Sequence, residues 1–202
     1  MKRLLLPTPF LLSVLLLLVG VVARARADDP PATTLPAGTP PAATAPSGEV
    51  TLPAGAASQV VGLFMQSCVR FALDPAGVRG WALHAGLKLL PPEGQQAFLY
   101  GLPGQVFDAS TKDGKLVMIS ENSGACSTMA ESASGAAVVK VLEQVMQLAH
   151  IDLTMTHEDD DKVEKALHHR EYTAASNGRQ WEMLVSTVKG TAPGEVMLTT
   201  SP

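Results

Sequence analysis

Apolar residues follow a different rhythm in each part of this chain. They are almost continuous from Phe10 to Ala23, scarce in large form from Asp28 to Ala57, and helically spaced from Ser58 to Leu99. A first helix is predicted with Ser58 as its cap, because Val60, Val61, Phe64, Met65, Cys68, Phe71 and Ala72 recur on one face. Asp74-Pro75 joins an N-cap side chain to a proline at the first helical position, where a missing N–H removes no helical bond. It opens a second helix with Val78, Trp81, Ala82 and Ala85 on one face, ending at Gly86. Pro91-Pro92-Glu93 begins a short third helix or turn through Phe98 and Leu99 to Gly101.

After Gly104 the spacing becomes that of strands. Gln105 to Ala109 and Lys115 to Ser120 flank Asp113-Gly114, a dipeptide that favours the positive backbone angles of a tight hairpin. Asn122-Ser123-Gly124 turns into a third strand, Ala125 to Glu131, which carries Cys126. Next comes an apolar helical stripe of Val138, Val141, Leu142, Val145, Leu148 and Ala149, opposed by Lys140, Glu143, Gln144 and Gln147. Ile151 to Met155 reads as a short strand before the acidic run Glu158 to Asp161, which is expected to be a solvated loop. Lys165 to Ala174 and Gln180 to Val188 flank Asn177-Gly178, a second hairpin signal, and Glu195 to Thr200 follows Pro193-Gly194 as a last strand. This order predicts an α+β fold, with N-terminal helices packed on a mainly antiparallel sheet built from two strand meanders separated by a helix. Ser58 to Pro202 is expected to form a single domain, with both sheet faces covered by helices or one left for a partner.

The N-terminal third adds a compartment. Lys2 and Arg3 precede the apolar run, and Ala25-Arg26-Ala27 supplies small residues at its exit, the order of an export signal. The run is shorter than the roughly 20 apolar residues of a membrane span, so cleavage near Ala27 and a periplasmic or secreted product are expected. Contact with a membrane would come only through an uncleaved leader. Residues 28–57, rich in Pro, Ala and Thr, bury too little to offset their conformational entropy and are expected to be a disordered tether.

Loss of the leader removes Lys2, Arg3, Arg24 and Arg26 from 15 basic residues and none of the 19 acidic ones, leaving a balance near −8. With no basic run to recruit phosphates, nucleic acid is excluded as a partner. Cys68 and Cys126 are the only two cysteines, and in an oxidising compartment such a pair predicts one disulfide.

Chemically, the stretch with most potential is His157-Glu158-Asp159-Asp160-Asp161 followed by His168-His169. His157, Glu158, His168 and His169 are the candidate metal ligands, but they fit neither His-Glu-x-x-His nor an EF-hand loop. On one strand His168 and His169 would point to opposite faces. Ser123, Ser127 and Ser134 lie in no nucleophile elbow, and Lys112-Asp113-Gly114-Lys115 lacks the glycine spacing of a phosphate loop. His84 is expected to be packed or capping near Gly86. Trp81 and Trp181 read as core. Met65, Met118, Met129, Met146, Met155, Met183 and Met197 chiefly fill the interior, with an apolar pocket as the alternative use.

The pattern Phe64-x-x-x-Cys68, Trp81, Gly86, Phe98-Leu99-x-Gly101-x-x-Gly104 and Gly124-x-Cys126 resembles a group of uncharacterised exported proteobacterial proteins with one cysteine pair. The resemblance covers about Phe64 to Glu131. It implies a periplasmic α+β domain and brings no catalytic residue. No motif calls for a cofactor, and no catalytic residue is assigned. The expected function is a non-catalytic periplasmic binding or accessory module for an envelope protein or a small apolar ligand. The alternatives are a hydrolase, metal-assisted or not, with a spatially assembled site, and a carrier of lipid or another hydrophobic ligand.

Overall fold

A computed structural model describes residues 55–190 and 192–202. The expected leader, its cleavage point and residues 28–54 of the expected tether lie outside the described residues. Helix α1 (Ala56–Phe64) starts ahead of Ser58: its N-cap is Gly55, and Ser58 is buried within its first turns. The helix then widens into a π-helical turn, Met65–Val69, in which Ser67 Oγ donates to the Leu63 carbonyl at 2.7 Å. That extra residue per turn keeps Cys68 and Val69 on the buried side along with Val60, Val61 and Phe64.

Helix α2 (Pro75–His84) opens as its sequence predicts, with the Asp74 carboxylate accepting from the Gly77 N–H at 3.0 Å. Strand β1 (Lys88–Leu89) is too short to leave a periodic signal, and α3 (Pro92–Leu99) follows the double proline. Strands β2 (Gly104–Asp108), β3 (Leu116–Glu121) and β4 (Cys126–Ala133) complete the first meander. Its β2–β3 connection closes between Thr111 and Gly114, so Lys112-Asp113 form the tip, and neither Asp113 nor Gly114 adopts the positive φ that was expected there. The Ser134 side chain caps α4 (Gly135–Leu148), and β5 (Asp152–Asp160), β6 (Leu167–Ser176), β7 (Arg179–Val188) and β8 (Gly194–Ser201) form the second meander.

The eight strands make one antiparallel sheet in the order β1-β2-β3-β4-β8-β7-β6-β5. The α+β class and the two meanders separated by a helix are therefore as the sequence predicts. The two meanders join where β4 pairs with β8, Cys126 lying opposite Thr200. One sheet face carries Phe107, Met118, Ala130, Leu198, Val185 and Met183 and is buried under α1, the π turn and α4. α4 sits directly on β7: a Cβ on Gly135 would come within 2.8 Å of the Thr187 Cβ. The opposite face carries a small cluster of Leu99, Val106 and Ile119 under α3. Cys68 and Cys126 are disulfide-bonded with Cα atoms 5.3 Å apart, tying the π turn to β4. Trp181 is buried in the main core, Trp81 packs half-buried against it, and His84 is exposed rather than packed. Met118, Met146 and Met183 are interior, Met65, Met129 and Met197 half-buried, and Met155 is 53% exposed. Among the described residues no helix is long and apolar enough to cross a membrane.

Candidate functional site

The acidic run is not a loop. Glu158, Asp159 and Asp160 belong to β5, and only Asp161 enters the turn to β6. The expectation failed because acids carry low strand propensity, whereas here an antiparallel partner supplies cations and imidazoles directly across the ladder. Asp160 lies opposite His168, Asp159 opposite His169 and Glu158 opposite Arg170. A bulge at Thr156, whose hydroxyl donates to the Glu171 carbonyl at 3.2 Å, sets this register.

Alternation then divides the four candidate metal ligands. Glu158 and His168 face one side of the sheet, His157 and His169 the other. His168 Nε2 lies 2.9 Å from Glu158 Oε1 and its Nδ1 lies 3.1 Å from Asp160 Oδ1. Carboxylates only accept, so both ring nitrogens must donate, which is the imidazolium form. The hydrogen bond to Glu158, then that to Asp160, raises the His168 pKa against a smaller effect of burial. Glu158 is lowered by its bonds from His168 and Arg170, and Asp160 by those from Lys189 and His168. Each acid is thus occupied by a neighbour. His157 pairs with Asp159 at 3.2 Å. Among the described residues no three His, Cys, Asp or Glu side chains are arranged to hold a metal ion.

On the second face Ser186 Oγ lies 2.8 Å from His169 Nδ1, and His169 Nε2 lies 2.9 Å from Asp161 Oδ2. Sequence reading passed over Ser186. The signal was present: Asn177 and Gly178, both with positive φ, make a two-residue turn, and its register places Ser186 opposite His169. The order of contacts resembles a Ser-His-acid relay, yet β7 is paired with β6 on one side and β8 on the other. The backbone N–H groups around Ser186 are therefore committed to the ladder, and acyl transfer needs donors aimed at the developing oxyanion. Asp161 also accepts from the Val163 and Glu164 N–H groups at 2.7 and 2.6 Å, which with His169 lowers its pKa. The chain of bonds accordingly pins the β5–β6 turn to β7.

The other feature is a concavity. An open cleft of about 490 Å³ lies between the C-terminal half of α4 and the start of β5, lined by Glu143, Gln147, Ile151, Leu153, Met155 and Tyr172 among others. Volumes of 300–1,000 Å³ are those of ligand sites. Tyr172 is among its lining, and its hydroxyl lies 3.3 Å from Glu143 Oε1. Burial, reinforced by the Glu143 charge, pushes the phenol up to about 12, so it stays a hydrogen-bond donor. Ile151, Leu153 and Met155 supply apolar wall. Sequence reading placed no residue here as a ligand contact, because the cleft exists only where α4 crosses the outermost strands.

The chain matches no protein-family model, no curated protein and no solved structure, so no relative's activity transfers to it.

Proposed function

We propose that this chain is a non-catalytic periplasmic binding module, carried into the envelope by its leader, that meets a protein partner or an apolar ligand at the α4–β5 cleft. The supporting observation is the cleft itself: an open volume of about 490 Å³ with apolar wall from Ile151, Leu153 and Met155 and polar groups from Glu143, Gln147, His150, Asp152 and the Tyr172 hydroxyl. Such a lining selects by shape and orientation. The clustered acids, histidines and Ser186 are spent on one another in the β5–β6–β7 region, which accounts for them without a reaction.

The test is site-specific photo-crosslinking in envelope extract, with a photoreactive amino acid in place of Met155 and, as control, in place of the exposed Leu83 on α2. An adduct at position 155 and none at 83 is expected. Equal labelling at both sites, or an ester-hydrolysing activity lost in Ser186→Ala, would overturn the reading in favour of a hydrolase.

A further inference from the structure

The sheet ends differently on its two sides. β1 is two residues long and is followed, after Leu90, by Pro91 and Pro92, so that edge offers almost no ladder. β5 is nine residues long, contains no proline, and among the described residues has no strand beyond it. An edge strand leaves a row of N–H and C=O groups unpaired, and proteins protect such rows with bulges, charges or covering elements. In β5 the bulge and three of the acids occupy the second half, from Thr156 to Asp160. The first half, Asp152 to Met155, precedes the bulge, is largely exposed, pairs only with β6 among the described residues, and borders the cleft.

Resting on the binding reading above, we propose that β5 receives an extended, basic peptide segment of a partner protein as a ninth strand, with alternate apolar side chains entering the α4–β5 cleft. Backbone bonds to the free edge would supply affinity, and side-chain pockets specificity. Alternation sets the pattern. Leu153 and Met155 face the α4 side and ask for apolar partners, whereas Asp152, which also borders the cleft at the strand's start, and Asp159, whose partner is the exposed His157, alternate to the other side and ask for lysine or arginine. β5 carries Asp152, Glu158, Asp159 and Asp160 with no lysine or arginine.

The same charges argue against a second copy as the occupant. Antiparallel self-pairing about Thr156 would set Asp152 opposite Asp160, and parallel in-register pairing would stack every acid on its own image. Like charges directly opposite one another destabilise a strand pair.

A fluorescein-labelled ten-residue peptide of alternating leucine and lysine tests this by anisotropy against the mature protein. Binding is expected, weakened at least about tenfold by methylating alternate backbone nitrogens along one edge of the peptide, whichever of the two edges is the one that pairs. The glutamate-for-lysine peptide should bind correspondingly worse, and Asp152→Lys/Asp159→Lys should reverse that preference. If methylation of neither edge matters, the cleft binds without strand addition and this proposal falls while the binding reading stands. Equal binding of the acidic peptide, or a dimer in sedimentation that buries β5, also overturns it. Failure of every peptide alongside a Met155 crosslink removes the proposal alone; failure of both experiments removes the binding reading too.

Discussion

Replacing Cys68 and Cys126 together by alanine should cost more stability than any single surface change, by an amount the connectivity sets. The two residues are 58 positions apart, and the loop they close contains α2, β1, α3, β2 and β3. In the chain-entropy description a loop of that length restricts the unfolded ensemble by about 4 kcal/mol at 25 °C. Both sulfurs are buried, so their deletion adds small voids worth roughly 1 kcal/mol each. Guanidinium slopes for domains of this size are about 2–6 kcal/mol per molar. The unfolding midpoint of the mature protein should therefore fall by about 1–3 M. The slope itself should rise, because an unfolded chain freed of its crosslink exposes more surface. Equilibrium denaturation followed by the fluorescence of Trp81 and Trp181 reads both quantities. A loss under about 1 kcal/mol with an unchanged slope would refute the argument that the link acts through the unfolded chain.

The β5–β6 hairpin should carry a pH signature. His168 titrates above its ordinary 6.5, so its contribution is complete below that value and is lost as pH rises through the folded pKa. Glu158, Asp160 and Asp161 titrate below their ordinary values, so their contributions are present above those and vanish as pH falls through the folded pKa values. The melting-temperature difference between wild type and His168→Gln should thus be larger near about pH 5.5 than near about pH 9; a constant difference would contradict the ion-pair account. Leu142→Ala, which empties a fully buried position on α4, should cost about 2–5 kcal/mol in the same denaturation assay. Gly178→Val places a branched side chain at φ 74° and should cost about 1–3 kcal/mol, with loss of hairpin amide protection in hydrogen exchange. Ser186→Ala should remove about 1 kcal/mol and speed amide exchange at Val163 and Glu164, because it frees the His169 that holds their turn.

The elements were legible wherever a signal was local. Asp74-Pro75 started α2, Asn177-Gly178 turned β6 into β7, and the stripe from Val138 to Leu148 became α4, whose cap Ser134 only the structure showed. Ser58 misled because a helix boundary needs a capping geometry, and the chain used Gly55 instead. Glu158 to Asp160 misled because their strand character comes from His168, His169 and Arg170 across the ladder, residues that a window along β5 does not contain. Of the site, the opposite facing of His168 and His169 was legible from strand alternation, whereas the α4–β5 cleft left no local trace.

Caps, turns and apolar period are properties of a few adjacent residues, so the helices, both hairpins and the α+β class could be read along the chain, as could the acidity of the run Glu158 to Asp161 though not its place in β5. Tertiary structure alone decided that β4 would pair with β8, since no segment near either strand encodes a partner some seventy residues away. Among the described residues that single pairing leaves β5 as the long outer edge, carries α4 across its start, and opens the cleft beside it. The candidate binding surface is therefore a consequence of long-range strand order, which depends on the summed burial of the whole sheet rather than on the preference of any one segment.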